Sequence, residues 1–219
     1  KAAMAEYVHG LKGAFLDGGM VTSRSGAGTY EISLNLIDNS QESNILKASQ
    51  IYNRMVSSLT GISNEEEGIL VTPSLLNFNS NVSNLSANGR INLAVRYNHR
   101  DQLKKIEEEV SKLTRKKYAR LLDFYISVGN KRPPMQRSEK VEQFWQLAKS
   151  AADTLDIRLR EEHRWSSSDI CFVPDSVFRL DGMGPIGIRD ENRQEYILKY
   201  SLIERSALLA TLIKNLGNS

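Results

Sequence analysis

Asp17 follows a short apolar run, Ala14-Phe15-Leu16, and precedes Gly18-Gly19. An acid at the C-terminal end of a buried strand is a common ligand contact in α/β folds. An Asp before two glycines can equally form a turn by bonding its own backbone. The sequence is sparing with other reactive groups. His9, His99 and His163 lie far apart and share no metal-ligand spacing. Glu65-Glu66-Glu67 is a carboxylate run in a polar stretch, the pattern of a solvated loop. Cys171 is the single cysteine, which excludes an internal disulfide and any zinc site built on cysteines. Serines abound, yet none has nucleophile-elbow spacing. Asn77, Asn79, Asn81, Asn84 and Asn88 crowd one region, and Arg132 stands before Pro133-Pro134. A guanidinium on a rigid connector suits two-pronged recognition of a carboxylate, or equally a structural ion pair.

The elements that would position these groups centre on Gly28 to Val128. Tyr30 to Ile37 alternates apolar and polar, the period of a half-buried strand. From Ile45 the period becomes helical: Ile45, Ala48, Ile51, Tyr52, Met55, Val56 and Leu59 share one face, closed by Gly61. Strands are expected at Ile69–Phe78 and Ile91–Tyr97, with an Asn/Ser/Gly-rich turn between. A second helix follows, with Leu103, Ile106, Val110 and Leu113 on its face and Asp101 as cap. Leu121 to Val128 is the last strand. This order is that of a ferredoxin-like βαββαβ sandwich, two helices on one face of an antiparallel sheet.

The flanks alternate helix and strand. Residues 1 to 12 suit a helix, Ala14-Phe15-Leu16 a short strand, and Met20 to Arg24 an extended segment entering the central unit through glycines. Gly129 to Met135, with two prolines, reads as a rigid connector. Beyond it come a helix from Ser138 to Leu155 and a strand at Ile157–Arg160. A polar segment, Trp165 to Asp169, leads to an apolar run, Ile170–Val173, and then a strand at Phe178–Leu180. Ser201 and Glu204 suggest a capping box for a final helix, with Gly217 after its end. The layout implies an α/β domain, residues 1–25 and 133–219, interrupted by a ferredoxin-like unit, residues 26–132.

A formal net charge of +3 gives no footing for a polyanionic partner. The RNA-recognition domains that share this element order place stacking aromatics on the third strand, whereas this one reads Ile91-Asn92-Leu93-Ala94-Val95; neither nucleic acid nor membrane is an expected partner. No apolar run approaches the roughly 20 residues of a membrane span. Lys1-Ala2-Ala3-Met4-Ala5-Glu6 carries no signal-peptide pattern, which leans towards the cytoplasm, but it opens like the interior of a domain, so the chain reads as a fragment.

Leu16-Asp17-Gly18-Gly19-Met20-Val21-Thr22-Ser23-Arg24-Ser25-Gly26-Ala27-Gly28 resembles the segment leaving the catalytic domain of the di-zinc amidohydrolases. That family includes glutamate carboxypeptidases, acetylornithine deacetylase and succinyl-diaminopimelate desuccinylase. Asn130 to Met135 is similar to the Asn-Arg-Pro-Pro re-entry of its carboxypeptidase-like members. Ser168-Asp169, Leu180-Asp181-Gly182-Met183-Gly184-Pro185, Glu195-Tyr196-Ile197 and Ser201-Leu202-Ile203-Glu204-Arg205 resemble its C-terminal end in order and spacing. The likeness implies a lid and dimerisation unit inserted in a zinc-binding domain, hence a homodimer. It implies hydrolysis of an amide bond in an N-acyl amino acid or small peptide, with two zinc ions polarising the carbonyl and a glutamate as general base.

The first histidine ligand, the bridging aspartate and the Glu-Glu pair of that family belong to an N-terminal half that these 219 residues do not contain. Of the remaining ligands, one acid falls on Asp17, and the final histidine falls on Glu191. The lid histidine falls near Ser40, and the glycine-rich turn before Ser168-Asp169 has become Trp165-Ser166-Ser167. Arg132 and Asn84 remain as substrate-carboxylate contacts by the same likeness. The expectation is a carboxypeptidase- or deacylase-like chain inactive by itself, or a non-catalytic homologue kept for dimerisation or carboxylate binding.

Overall fold

The computed structural model describes residues 7–9, 13–14, 18–113, 120–189 and 195–217. In chain order the elements are β1 (Tyr7–His9), β2 (Gly13–Ala14), β3 (Met20–Arg24), β4 (Gly26–Leu36), α1 (Glu42–Thr60), β5 (Ile69–Asn81), β6 (Ser86–Tyr97), α2 (Arg100–Leu113), β7 (Leu122–Arg132), α3 (Glu139–Asp153), β8 (Glu161–Arg164), a 3-10 turn (Asp169–Phe172), β9 (Phe178–Leu180), β10 (Gly184–Arg189), β11 (Glu195–Ile197) and α4 (Lys199–Leu216). They divide into two compact units, residues 1–24 with 135–219, and residues 25–134.

The central unit is a four-stranded antiparallel sheet in the order β5-β6-β4-β7, the ferredoxin-like arrangement. Alternation decides which face is covered. Tyr30, Ile32 and Leu34 of β4, with Ile91, Leu93, Val95 and Tyr97 of β6, point into a core shared with Ala48, Ile51, Tyr52 and Met55 of α1 and Ile106 and Val110 of α2. Each fully buried aliphatic side chain there contributes roughly 1.5–3 kcal/mol. Gly89 is fixed by a close approach: a Cβ at that position would lie 2.7 Å from the Tyr52 ring. Tyr52 in turn donates its hydroxyl to the Arg90 carbonyl at 3.1 Å.

Three sequence expectations change in this unit. The Asn-rich stretch is mostly strand, since β5 and β6 pair from Ile69↔Tyr97 out to Asn81↔Ser86 and leave only residues 82–85 as a turn. Ladder pairing overrides the low strand preference of asparagine. β7 runs through the presumed connector as far as Arg132, which pairs with Ala27. α2 begins at Arg100, one residue before Asp101. Its first turn is closed by Gln102, whose Oε1 accepts from the backbone amides of Asn98 and His99 at 2.9 and 2.8 Å.

The second unit is built from small parallel pairings. β1 lies beside β9, β2 beside β10, and β3 beside β8, while β11 adds to β10 in antiparallel fashion. Its core gathers Met20, Val141, Phe144, Trp145, Ala148, Cys171, Leu180, Leu208 and Leu212. α3 starts where the sequence placed it, with Ser138 as N-cap accepting from the Val141 amide.

Other expectations for the flanks are corrected. Tyr7–His9 is strand, not helix, paired in parallel with Phe178–Leu180; parallel strands carry no alternation that a helical pattern would contradict. The strand expected at Ile157–Arg160 lies four residues later, at Glu161–Arg164, where Thr22 Oγ1 donates to Glu161 Oε1 at 2.7 Å. The run Ile170–Val173 forms a 3-10 turn. α4 begins two residues before Ser201. The Ser201 hydroxyl is buried instead, accepting from the Ile186 amide at 2.8 Å and donating to the Leu198 carbonyl at 2.7 Å. Of Ala14-Phe15-Leu16, only Ala14 is within the described residues.

Candidate functional site

β3 carries Arg24 at its end, and β9 leads directly into Asp181. The Arg24 Nε donates to Asp181 Oδ2 at 2.7 Å, with neither side chain exposed. Arg24 Nη1 reaches the Ser166 carbonyl at 2.7 Å and the Ser166 hydroxyl at 3.1 Å. Asp181 Oδ1 accepts from the Gly182 amide at 2.8 Å. Gly182 adopts φ +82°, and a Cβ there would stand 3.0 Å from the Gly19 carbonyl. Two buried charges cost heavily in desolvation unless paired and hydrogen-bonded; this pair meets that condition at the Arg24 Nε and Nη1 and at both carboxylate oxygens, while Arg24 Nη2 is buried without a hydrogen-bond partner among the described residues. It therefore works as a clamp that ties the Ser166 segment to β3, since both carboxylate oxygens are engaged.

Beside it, Ser23 Oγ lies 2.8 Å from His163 Nδ1, across the β3–β8 pairing. The Trp165 ring stands edge-on to the imidazole at a centroid distance of 5.8 Å. Desolvation, and then the Arg24 charge, lower the His163 pKa below its ordinary 6.5. A neutral imidazole within hydrogen-bond reach of a hydroxyl can exchange a proton with it. Both pairs escaped the sequence reading, because their members lie 140 and more residues apart and only the topology brings them together.

Arg132 and Asn84 do not meet within one chain. Arg132 closes β7 at the end of the sheet where Ala27 and Arg96 pair, and its carbonyl accepts from the Tyr97 hydroxyl at 2.8 Å. Asn84 occupies the β5–β6 turn at the opposite end, its Oδ1 accepting from Ser86 Oγ at 2.6 Å. The strand length between these ends is more than ~30 Å. Ser40, bonded to Asp38 Oδ1 through its amide at 3.2 Å and its hydroxyl at 2.6 Å, belongs to Asn84's end. Asp17 and Glu191 lie outside the described residues. Among the described residues, no group of three or more His, Cys, Asp or Glu could hold a metal ion; these residues alone do not fit a metal centre. Glu65, Glu66 and Glu67 are exposed in the loop before β5.

A groove of about 680 Å³ runs between α1 and β5, lined by Ile45, Leu46, Phe78 and Val82 among polar neighbours. Leu46 of α1 is 61% exposed, and Leu76 of β5, an edge strand of the sheet, 50%. No helix is long and apolar enough to cross a membrane among the described residues.

No protein-family model matches the chain, and no curated protein matches it in sequence. Solved structures do match in fold. A tripeptidase from Staphylococcus aureus gives a TM-score of 0.78 at 12% identity, over 98% of this chain and 58% of that one. The aminopeptidase PepT from Bacillus cereus gives 0.73 at 14% identity, over 97% and 58%. The YxeP protein of Bacillus subtilis, described as a dinuclear metal-binding peptidase of the M20 family, gives 0.69 at 15% identity, over 95% and 56%. The chain thus shares the mixed α/β fold of these peptidases, its four-stranded antiparallel sheet included. It spans under three-fifths of the length of these structures.

Proposed function

We propose that this chain is the lid and C-terminal part of a metal-dependent hydrolase acting on amide bonds of N-acyl amino acids or small peptides. The observation that carries the reading is the fold agreement over nearly the whole chain with peptidases, one of them described as dinuclear. In this reading, Asp17 and Glu191 supply oxygen ligands, and Arg132 and Asn84 hold a substrate carboxylate. The chain by itself, without the upstream ligands and general base, hydrolyses nothing. Two copies associate through the lid, along the β5 edge and the adjoining α1 face, where the apolar groove and the exposed Leu46 and Leu76 lie.

A second reading is favoured by Glu191 and Ser40, which stand where the resemblance calls for histidines. It makes the chain part of a non-catalytic homologue that binds a carboxylate ligand. Metal content and hydrolysis of N-acyl amino acids and tripeptides, measured on the longest natural product of the gene, separate the two. Bound zinc with turnover that falls in Arg132→Ala supports the hydrolase. Absence of metal together with absence of turnover rejects it in favour of the second.

A further inference from the structure

The face of the lid sheet turned away from α1 and α2 carries two cross-strand rows in register. One is Asn79–Asn88–Asn35–Asp123 and the next is Asn77–Arg90–Ser33–Tyr125. Asparagine is disfavoured in strands, where β-branched and aromatic residues fit better. A sequence that sets four of them in adjacent ladder positions contradicts its own local preference, and such conflicts gather at functional sites. The β5, β6 and β4 members of these rows, Asn77, Asn79, Asn88, Arg90, Ser33 and Asn35, line a concavity of about 370 Å³ together with Leu75 and Gly89, and Asp123 and Tyr125 continue the rows on β7 beyond it. That is the size of a small-molecule site (roughly 300–1,000 Å³).

The polar groups there are held in place. Asn79 Nδ2 donates to Asn77 Oδ1 at 2.7 Å, and Arg90 Nε lies 3.5 Å from Glu31 Oε1. In the following row, Asn92 Oδ1 is buried without a hydrogen-bond partner among the described residues. At the β7 end, Tyr125 is 62% exposed, two residues along the strand from Asp123 on the same face.

Charge narrows the ligand. Arg90 is offset by Glu31 and Asp123 on the same face, so a phosphate-bearing polyanion gains nothing there. An extended peptide is recognised through backbone bonds along a sheet edge, whereas these groups are side chains on a sheet face. Carboxamides both donate and accept, which matches adjacent hydroxyls, and an exposed phenol ring offers an apolar surface for the C–H face of a sugar. We propose that these two rows form a binding site for a neutral oligosaccharide. This stands apart from the hydrolase reading, since it requires no metal and no upstream half.

The test titrates the intact chain with maltotriose, cellotriose and the trisaccharide of N-acetylglucosamine, followed by calorimetry and backbone NMR. Expected is saturable millimolar or tighter binding of at least one sugar, with shifts centred on Asn35, Asn88 and Arg90. Asn88→Ala and Tyr125→Ala, both at exposed positions, each weaken it about tenfold while the circular dichroism spectrum is kept. No saturable binding by any of the three sugars overturns the proposal. So does binding indifferent to both substitutions, or equal binding of tetra-alanine.

Discussion

Arg24 and Asp181 are joined by a 2.7 Å ion pair across 157 residues of sequence, and neither side chain touches solvent. The pair lies within the unit formed by the two flanks, so its worth is measurable as stability. Removing one partner strands the other as a buried charge. Asp181→Asn is expected to cost about 3–5 kcal/mol in urea unfolding, while the double replacement Arg24→Met with Asp181→Leu recovers most of it. A loss below about 1 kcal/mol for the single change would show that solvent reaches the site.

Gly89 makes a sharper test of packing. Its missing Cβ leaves room for Tyr52, whose ring atoms lie 2.7 and 3.0 Å from where that carbon would be. Gly89→Ala should destabilise the central unit by about 1–3 kcal/mol through overpacking. In a Tyr52→Leu background the same change should be neutral or favourable, because glycine inside a strand is itself unfavourable by ~0.5–1 kcal/mol. Equal costs in the two backgrounds would refute the contact.

His163 predicts a pH dependence with a definite sign. Its folded pKa is depressed, by desolvation first and by Arg24 second. The unfolded chain therefore binds the proton more readily, and the stability contributed by the neutral imidazole is full above the ordinary 6.5 and lost as pH falls through the folded value. The wild-type stability minus that of His163→Gln should decline on acidification from neutral pH. A flat or rising difference counts against this assignment.

The α1–β5 edge predicts assembly. Sedimentation equilibrium should find dimers, and Leu46→Glu should weaken association at least ~100-fold (about 2.7 kcal/mol) by placing a charge in an apolar contact. Wild-type monomers at high concentration would refute the assembly, and dimers untouched by Leu46→Glu would move the contact to the β7 edge, where Ile126 and Val128 are also exposed.

What the sequence made legible followed period and punctuation. The alternation of Tyr30 to Leu36 and the helical faces around Ile51 and Phe144 survive in the structure because burial enforces them. Asn79 and Asn88 misled as turn residues: their strand conformation comes from ladder partners, and nothing local encodes it. Tyr7–His9 misled in the opposite sense, its partner lying at Phe178–Leu180. Arg132 and Asn84 were legible as polar groups on recognisable segments, but their separation was not, since it depends on sheet register. Ser23 and His163 carried no signal at all, being united only by the pairing of β3 with β8.

The length of the four-stranded sheet has a thermodynamic corollary. If Arg132 and Asn84 hold one small ligand as proposed, each must come from a different copy, as no single copy can present them together. Under that proposal capture and association would share one equilibrium, apparent affinity would climb with protein concentration, and dilution alone would act as an inhibitor.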